Sequence, residues 1–177
     1  AVNNQDKIGV ILFSDKVEKY LPPKKGKQHA LVIVRELLAA QSQNKKTRLS
    51  NALKYFNNIS KQKGIAFILS DMLDSEYEDA LRVAGGKHDI IGIKIYDKMD
   101  VKLPDAGLWQ VVDPETGEEK WIDTGSEFVR SKYQQSFFDM TAYCKTVFTK
   151  AGCDLLHIRT DEDYVKVLQR FFIGRNR

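Results

Sequence analysis

The segment Gly64–Asp71 has the sequence GIAFILSD, and it gives the strongest indication of the fold. Its middle is a continuous apolar run, which is typical of a strand buried on both faces. The run ends at Ser70 and Asp71, whose polar side chains mark the carboxyl end of the strand. Strands of this kind belong to parallel sheets that are covered by helices on both sides.

Strand-like and helix-like segments alternate along the rest of the chain. The apolar run Ile8–Phe13 predicts another buried strand, and the segments Asp89–Tyr96 and Asp154–Ile158 predict further strands. Apolar residues that recur with helical spacing predict amphipathic helices over roughly 26–41 and over 49–59. The alternation predicts an α/β fold with a mainly parallel sheet and helices on both faces.

Two segments depart from this alternation. Val17–Leu21 reads as a short edge strand that returns from the first strand and is stopped by Pro22 and Pro23. Residues 108–123 read as a β-hairpin insertion, because two strand-like runs flank the turn-rich sequence Asp113–Gly117.

Composition predicts a soluble globular protein of one domain spanning residues 1–177. The chain is 42% hydrophobic and 29% charged, and no apolar run approaches the roughly 20 residues that span a bilayer. Its first residues lack the basic flank and apolar core of a signal peptide. The net charge of +4 is spread along the chain, so we expect no nucleic-acid partner. Cys144 and Cys153 have no zinc-type spacing, which favours reduced thiols in a cytoplasmic protein.

The familiar catalytic templates are missing from the sequence. It contains no phosphate-binding P-loop, no dinucleotide-binding glycine motif and no hydrolase nucleophile elbow. Its three histidines are scattered and lack partners at metal-ligand spacing. We therefore expect a protein that is not an enzyme.

Hydroxyl and carboxylate side chains follow several of the predicted strands. They are Ser14–Asp15, Ser70–Asp71, Asp97 and Thr160–Asp161. Ligands of open α/β sheets bind at the carboxyl ends of the strands, and such oxygens suit Mg²⁺ or Ca²⁺. The same residue types also cap helices that follow strands. Thr47, which precedes a predicted helix, has the same two interpretations.

These features together resemble a bacterial von Willebrand factor A-like family that is catalogued as domain of unknown function 58. The similarity runs over essentially the whole chain. The residues that carry it are Asn4–Ser14, Val17–Pro23, Thr47 with Ala52 and Leu53, Ile68–Asp71, His88–Ile90 and Asp113–Glu118.

The resemblance implies a doubly wound fold with a metal-ion-dependent adhesion site for Mg²⁺ or another divalent cation. Thr47 and Asp71 match two of its ligands. The D-x-S-x-S motif that supplies the others is absent from this sequence, and Met72 stands where many A domains have glycine. We expect the chain to lack the first strand and helix of the domain. That strand would lie in the centre of the sheet, between 8–13 and 65–70, and the intact protein would supply it.

The resemblance further implies a protein-interaction module that works with a MoxR-type AAA ATPase in the assembly or maturation of other proteins. Two alternatives remain open. One is a metal-free scaffold that docks through the hairpin at 108–123 and the long helix after it. The other is Mg²⁺-dependent phosphoester hydrolysis, with Asp71 as ligand or nucleophile and Asp15 or Asp97 as an assisting acid or base.

Overall fold

The computed structural model describes residues 6–40, 47–112 and 117–175. These residues form two compact units. The first lies within Ala1–Gln62 and Asp74–Ala80, and the second within Lys63–Leu73 and Leu81–Arg177.

The first unit contains an antiparallel two-stranded sheet and two helices. Its elements are β1 (Ile8–Phe13), β2 (Val17–Lys24), α1 (Lys27–Ala39) and α2 (Leu49–Ile59). The predicted return of the second strand along the first is confirmed by this antiparallel pairing. The residues of β1 are mostly half-buried, so the prediction of a strand buried on both faces is wrong for β1.

Pro22 and Pro23 do not stop the second strand, contrary to the sequence-based prediction. β2 continues through both prolines to Lys24. The register between β1 and β2 shifts here, because Val10 is opposite Leu21 while Ile8 is opposite Lys24. A bulge on an edge strand accommodates proline, since the missing N–H is not needed for the ladder.

The second unit is built around a parallel sheet of three strands. In spatial order they are β3 (Ile65–Ser70), β4 (Asp89–Tyr96) and β7 (Asp154–Arg159). A separate antiparallel hairpin, β5-β6, lies within the predicted insertion at 108–123, although the turn residues 113–116 fall outside the described residues. The elements from residue 65 onward, in chain order, are β3 (Ile65–Ser70), α3 (Glu78–Lys87), β4 (Asp89–Tyr96), α4 (Lys98–Val101), β5 (Leu108–Val112), β6 (Glu119–Asp123), α5 (Glu127–Lys150), β7 (Asp154–Arg159) and α6 (Tyr164–Arg175). The first residues of α3, up to Ala80, belong to the first unit.

Strand β4 is the centre of this unit and is covered on both faces. On one face Ile91 and Ile93 join the core formed with β7 and α6. On the other face the ring of Phe148 on α5 lies directly over Gly92. Parallel strands normally require such cover on both faces, so the mixed α/β architecture predicted from the alternation is confirmed here.

Strand β3 differs from β4 although its sequence is equally apolar. Ile65, Phe67 and Leu69 are 63%, 46% and 58% exposed, while Ile68 on the opposite face is buried. The register places Phe67 beside Ile91 and Leu69 beside Ile93, so the three exposed residues lie on the α6 side of the sheet. The prediction of burial on both faces is therefore wrong for β3 in this structure.

We predict that Gly92→Ala destabilises the protein by about 1–3 kcal/mol, the usual cost of overpacking a core. A Cβ at this position would lie 2.6 Å from Phe148 Cζ and 2.9 Å from Leu155 Cδ1. Urea unfolding measures the difference. Gly86→Ala on α3 is the control, because nothing lies within 4 Å of its added Cβ and alanine favours the helix. Equal losses in both variants would contradict this packing.

Candidate functional site

The carboxyl ends of β3, β4 and β7 bring together the polar residues that follow these strands, because parallel strands end at the same edge of a sheet. Ser70 and Asp71 follow β3, Asp97 follows β4, and Thr160 and Asp161 follow β7. The partners of these side chains distinguish the capping role from the ligand role.

Asp97 is a helix cap. Its carboxylate accepts the Met99 N–H at 3.0 Å, and the Asp100 carboxylate accepts the Asp97 N–H at 2.6 Å, which completes a capping box for α4. The Thr160 hydroxyl donates a further hydrogen bond to Asp97 at 2.7 Å. The Met99 amide and the Thr160 hydroxyl lower the pKa of Asp97, which makes it a poorer general base.

Asp161 is held in an ion-paired network. Hydrogen bonds from Lys98 and Arg159 lower the pKa of its carboxyl group to about 2. The Oε1 atom of Glu162 also lies 3.9 Å from Nη2 of Arg159. A carboxylate that two cations already bind is less available to a metal ion.

Asp71 has a different environment. Its carboxylate is exposed and accepts two weak hydrogen bonds, from the Ser70 hydroxyl and the Leu73 N–H, both at 3.3 Å. It does not cap a helix, because the next helix begins only at Glu78. Among the described residues it forms no ion pair. Asp71 is therefore the strand-end carboxylate that is most available for a ligand.

Lys94 holds the backbone beside this carboxylate. It is only 1% exposed, and its ammonium group donates a hydrogen bond to the Asp71 carbonyl oxygen. The same group lies 5.6 Å from the centroid of the Phe137 ring, a favourable cation–π position. A buried ammonium group needs such partners to offset its desolvation.

No sequence motif singles out Lys94. A lysine within the apolar strand Asp89–Tyr96 was the available signal, but Lys usually lies at the surface. Its register partner His157 is half-buried, and burial followed by the positive charges of Lys94 and Lys145 lowers the pKa of His157. Burial and the two neighbouring cations thus both favour the neutral imidazole over the charged one.

Met72 adopts a backbone conformation that favours glycine. Its φ angle is 54°, in the left-handed region, which explains structurally why glycine suits this position. The Met72 side chain is 1% exposed, and its carbonyl oxygen accepts a hydrogen bond from Cys144 Sγ at 3.5 Å. Burial of the methionine side chain offsets the backbone strain and keeps the turn after Asp71 fixed.

Thr47 lies in the first unit, just before α2. The helix begins at Leu49, and Asp74 accepts the Leu49 N–H at 2.7 Å in the place of an N-cap side chain. Thr47 is therefore not the cap of α2, and its half-buried hydroxyl makes no hydrogen bond to another described residue. The capping interpretation of Thr47 is wrong, and the ligand interpretation stays a prediction.

The Ser14–Asp15 turn of the first unit is tied to the start of α2. Ser14 is buried, and its carbonyl oxygen accepts a hydrogen bond of 2.9 Å from the Arg48 N–H. The Asn51 side-chain amide donates a hydrogen bond of 2.7 Å to the Asp15 carbonyl oxygen. These backbone contacts give the turn a structural role.

The donor atoms match the metal chemistry expected from the sequence only in part. The Asp71 carboxylate and the neighbouring Ser70 hydroxyl are hard oxygen donors of the kind that Mg²⁺ prefers. Within the three described ranges, no group of three or more His, Cys, Asp and Glu side chains could hold a metal ion. Asp71 in the second unit and Thr47 in the first are thus candidate ligands that need further donors.

The chain is an α/β protein with a mainly parallel sheet, and hydroxyl and carboxylate side chains lie at the carboxyl ends of its strands. The family described as "Protein of unknown function DUF58" matches residues 1–142, and the chain belongs to this family.

Mycobacterial proteins are among its relatives. The uncharacterized proteins Mb1516 of Mycobacterium bovis and Rv1480 of Mycobacterium tuberculosis are each 25% identical to it over 177 residues, which is 97% of this chain and 55% of each relative. The uncharacterized protein MAV169 of Mycobacterium avium is 26% identical over 130 residues, covering 73% of this chain and 76% of that protein.

The chain thus spans about half the length of the first two relatives. No solved structure matches it. Across the part of the chain that the structure describes, no helix has the length and apolar character needed to cross a membrane.

We predict that Lys98→Met raises the pKa of Asp161 from about 2 toward the ordinary value of 3.8, since the variant loses the largest cause of the shift. Because the ion pairs lower the pKa of Asp161 in the folded state, they stabilise the fold above about pH 4. This stabilisation is lost as the pH falls toward 2. NMR titration of the Asp161 carboxyl carbon measures this change. Lys166→Met on α6 is the control, and an unchanged titration in Lys98→Met would contradict the network.

Proposed function

We propose that the chain is a von Willebrand factor A-like protein-interaction module rather than an enzyme. A divalent cation, held partly by Asp71, accepts a carboxylate oxygen from a partner protein. The observation that carries this proposal is the exposed Asp71 carboxylate, which neither caps a helix nor forms an ion pair with another described residue, whereas Asp97 and Asp161 are both engaged.

Lys94 supports this role of Asp71. Its ammonium group donates a hydrogen bond to the Asp71 carbonyl, so the backbone that carries the carboxylate is anchored to β4. A fixed donor lowers the entropic cost of binding an ion. Mg²⁺ commonly keeps exchangeable positions beside one or two protein carboxylates, and such a position can receive an oxygen from a partner.

The partner that follows from the family resemblance is a MoxR-type AAA ATPase in the cytoplasm. The module would then act in the assembly or maturation of other proteins. Because fold does not determine function, this part of the proposal depends on a direct binding test.

A metal-independent scaffold is the second candidate, and the hairpin favours it. Leu108, Val112 and Trp121 lie on one face of β5-β6 by register and are 63%, 59% and 64% exposed. Isolated two-stranded hairpins are marginally stable, and tryptophan is common among the residues that dominate binding energy. A partner that covers this face would stabilise the hairpin.

We predict that Mg²⁺ raises the melting temperature of the full-length protein in a saturable way. At about 100 times the dissociation constant, the stabilisation is roughly 2.7 kcal/mol. Asp71→Asn, which keeps the side-chain shape but removes the negative charge and one carboxylate oxygen, reduces the shift. Differential scanning calorimetry with Mg²⁺, Mn²⁺ and Ca²⁺ measures it.

Asp139→Asn on α5 is the matched control and keeps the full shift. Absence of a shift in the wild-type protein would contradict the metal site. Binding to the MoxR-type ATPase of the same genome, measured with Mg²⁺ and with a chelator, separates the two candidate functions. Binding that survives the chelator but is lost in Trp121→Ala would replace metal-dependent adhesion by docking through the hairpin.

A further inference from the structure

Helix α1 of the first unit has a well-defined sheet side. His29 donates a hydrogen bond of 3.0 Å to the Ile8 carbonyl oxygen of β1, and Glu36 pairs with Lys19 of β2. Ile33 lies between them along the helix and is buried. A surface helix normally carries polar residues on the side that faces away from its sheet.

The side of α1 that faces away from the sheet is instead apolar. Leu31, Val34 and Leu38 recur at helical spacing, and they are 61%, 50% and 84% exposed. We call these three residues the outer stripe. Lys27, the first residue of α1, lies on the same line, four residues before Leu31. The outer stripe is therefore an exposed aliphatic surface with a lysine at its N-terminal end.

Further lysines lie at this end of the helix. Lys24 is the last residue of β2 and is opposite Ile8, so Lys7 lies at the same end of the β1-β2 sheet. Lys25 connects Lys24 to the start of α1. All four lysines are exposed, and none of them forms an ion pair with another described residue. Together they form a cationic group beside the outer stripe, the lysine cluster.

Acidic residues are sparse in this part of the chain. Residues 1–62 contain 12 of the 28 Lys and Arg residues but only 4 of the 24 Asp and Glu residues, so their net charge is +8. The cationic residues are thus spread along the chain, whereas most acidic residues follow residue 62. Such an asymmetry of charge is typical of proteins that bind an anionic surface.

The acidic residues that complete the first unit lie far from the lysine cluster. They belong to residues 74–80, and Asp74 accepts the N–H of Leu49 at the start of α2. This end of α2 is hydrogen-bonded to Ser14, which follows the carboxyl end of β1. The lysine cluster is at the other end of β1, about 20 Å away along a strand of six residues. The acidic segment therefore does not neutralise it.

We propose that the first unit binds the surface of an anionic membrane through α1. The helix lies in the plane of the interface. The outer stripe enters the boundary between headgroups and acyl chains, and the lysine cluster contacts anionic headgroups. Aliphatic residues beside lysines are the composition of helices that bind membranes in this way. The interaction is peripheral and uses no membrane-spanning segment.

The chemistry of this surface favours lipid over a protein or nucleic acid. Lysine is depleted from protein–protein interfaces, and leucine and valine are under-represented among the residues that dominate binding energy there. Nucleic acid would engage the lysines through its phosphates but would leave the outer stripe in water. An anionic membrane satisfies both parts of the surface.

A second copy of the chain is a poorer occupant. The acidic residue of α1, Glu36, lies on the sheet side and pairs with Lys19 and Arg35. Two copies that meet at their outer stripes would therefore bring lysines together without acidic partners. The inference is also independent of the proposed metal site, because it does not involve Asp71.

Co-sedimentation of the full-length protein with lipid vesicles tests the proposal. One vesicle contains phosphatidylcholine alone, and the other contains equal parts of phosphatidylcholine and phosphatidylglycerol. The wild-type protein binds the anionic vesicle at least about tenfold more tightly than the neutral one, and added salt weakens this binding.

Two pairs of variants locate the contact. Lys25→Gln/Lys27→Gln weakens binding to the anionic vesicle about 25-fold, since each lysine near the surface contributes about fivefold. Lys145→Gln/Lys150→Gln removes the same charge from exposed positions of α5 and changes binding by less than about threefold. Leu38→Ser weakens binding about tenfold because it removes an aliphatic contact with the acyl chains.

Leu108→Ser is the control for Leu38→Ser, because Leu108 is also exposed, at 63%, but lies on the hairpin. Equal binding of these two variants, equal binding to both vesicles, or no binding of the wild-type protein would overturn the proposal. Light scattering identifies a dimer, and a dimer that Leu38→Ser dissociates would assign the outer stripe to a second copy. Loss of a protein partner in Leu38→Ser, without vesicle binding by the wild type, would assign the stripe to that partner.

Discussion

A parallel β-sheet requires cover on both faces and a partner for each buried strand, because its backbone and its apolar side chains must both leave water. Strand β4 meets this requirement, with α5 on one face and α6 on the other. Strand β3 has the same kind of sequence but meets it on one edge and one face only. The position of the core of the second unit and the exposed surface of β3 both follow from this difference.

The regular elements could be predicted from the sequence because their signals are local. Apolar runs and helical spacing depend on neighbouring residues, and the strand Asp89–Tyr96 has the predicted bounds. The continuation of β2 through Pro22 and Pro23 could not be predicted, since it depends on a register shift against β1. The exposed face of β3 could not be predicted, because an apolar run does not show which faces of the strand are covered by other elements.

The candidate site was predicted in part. The sequence identified strand-end oxygens but could not separate caps from possible ligands, because Ser, Thr and Asp serve both purposes. The structure assigns Asp97 to a cap and Asp161 to an ion-paired network, and it leaves Asp71 exposed. The contact of Lys94 with the Asp71 carbonyl joins residues 23 positions apart, so no local pattern could reveal it.

Two features of β3 therefore remain to be explained. The described residues provide no partner strand for its outer edge, where the sequence predicts a further strand, and the turn at its carboxyl end leaves Asp71 exposed. Hydrogen exchange of the Ile65–Ser70 amides in the full-length protein tests the predicted strand directly, because exchange reports the pairing of each N–H group. If the predicted strand pairs with β3, all these amides exchange slowly, like those of β4. Fast exchange at alternate positions of β3 would contradict it.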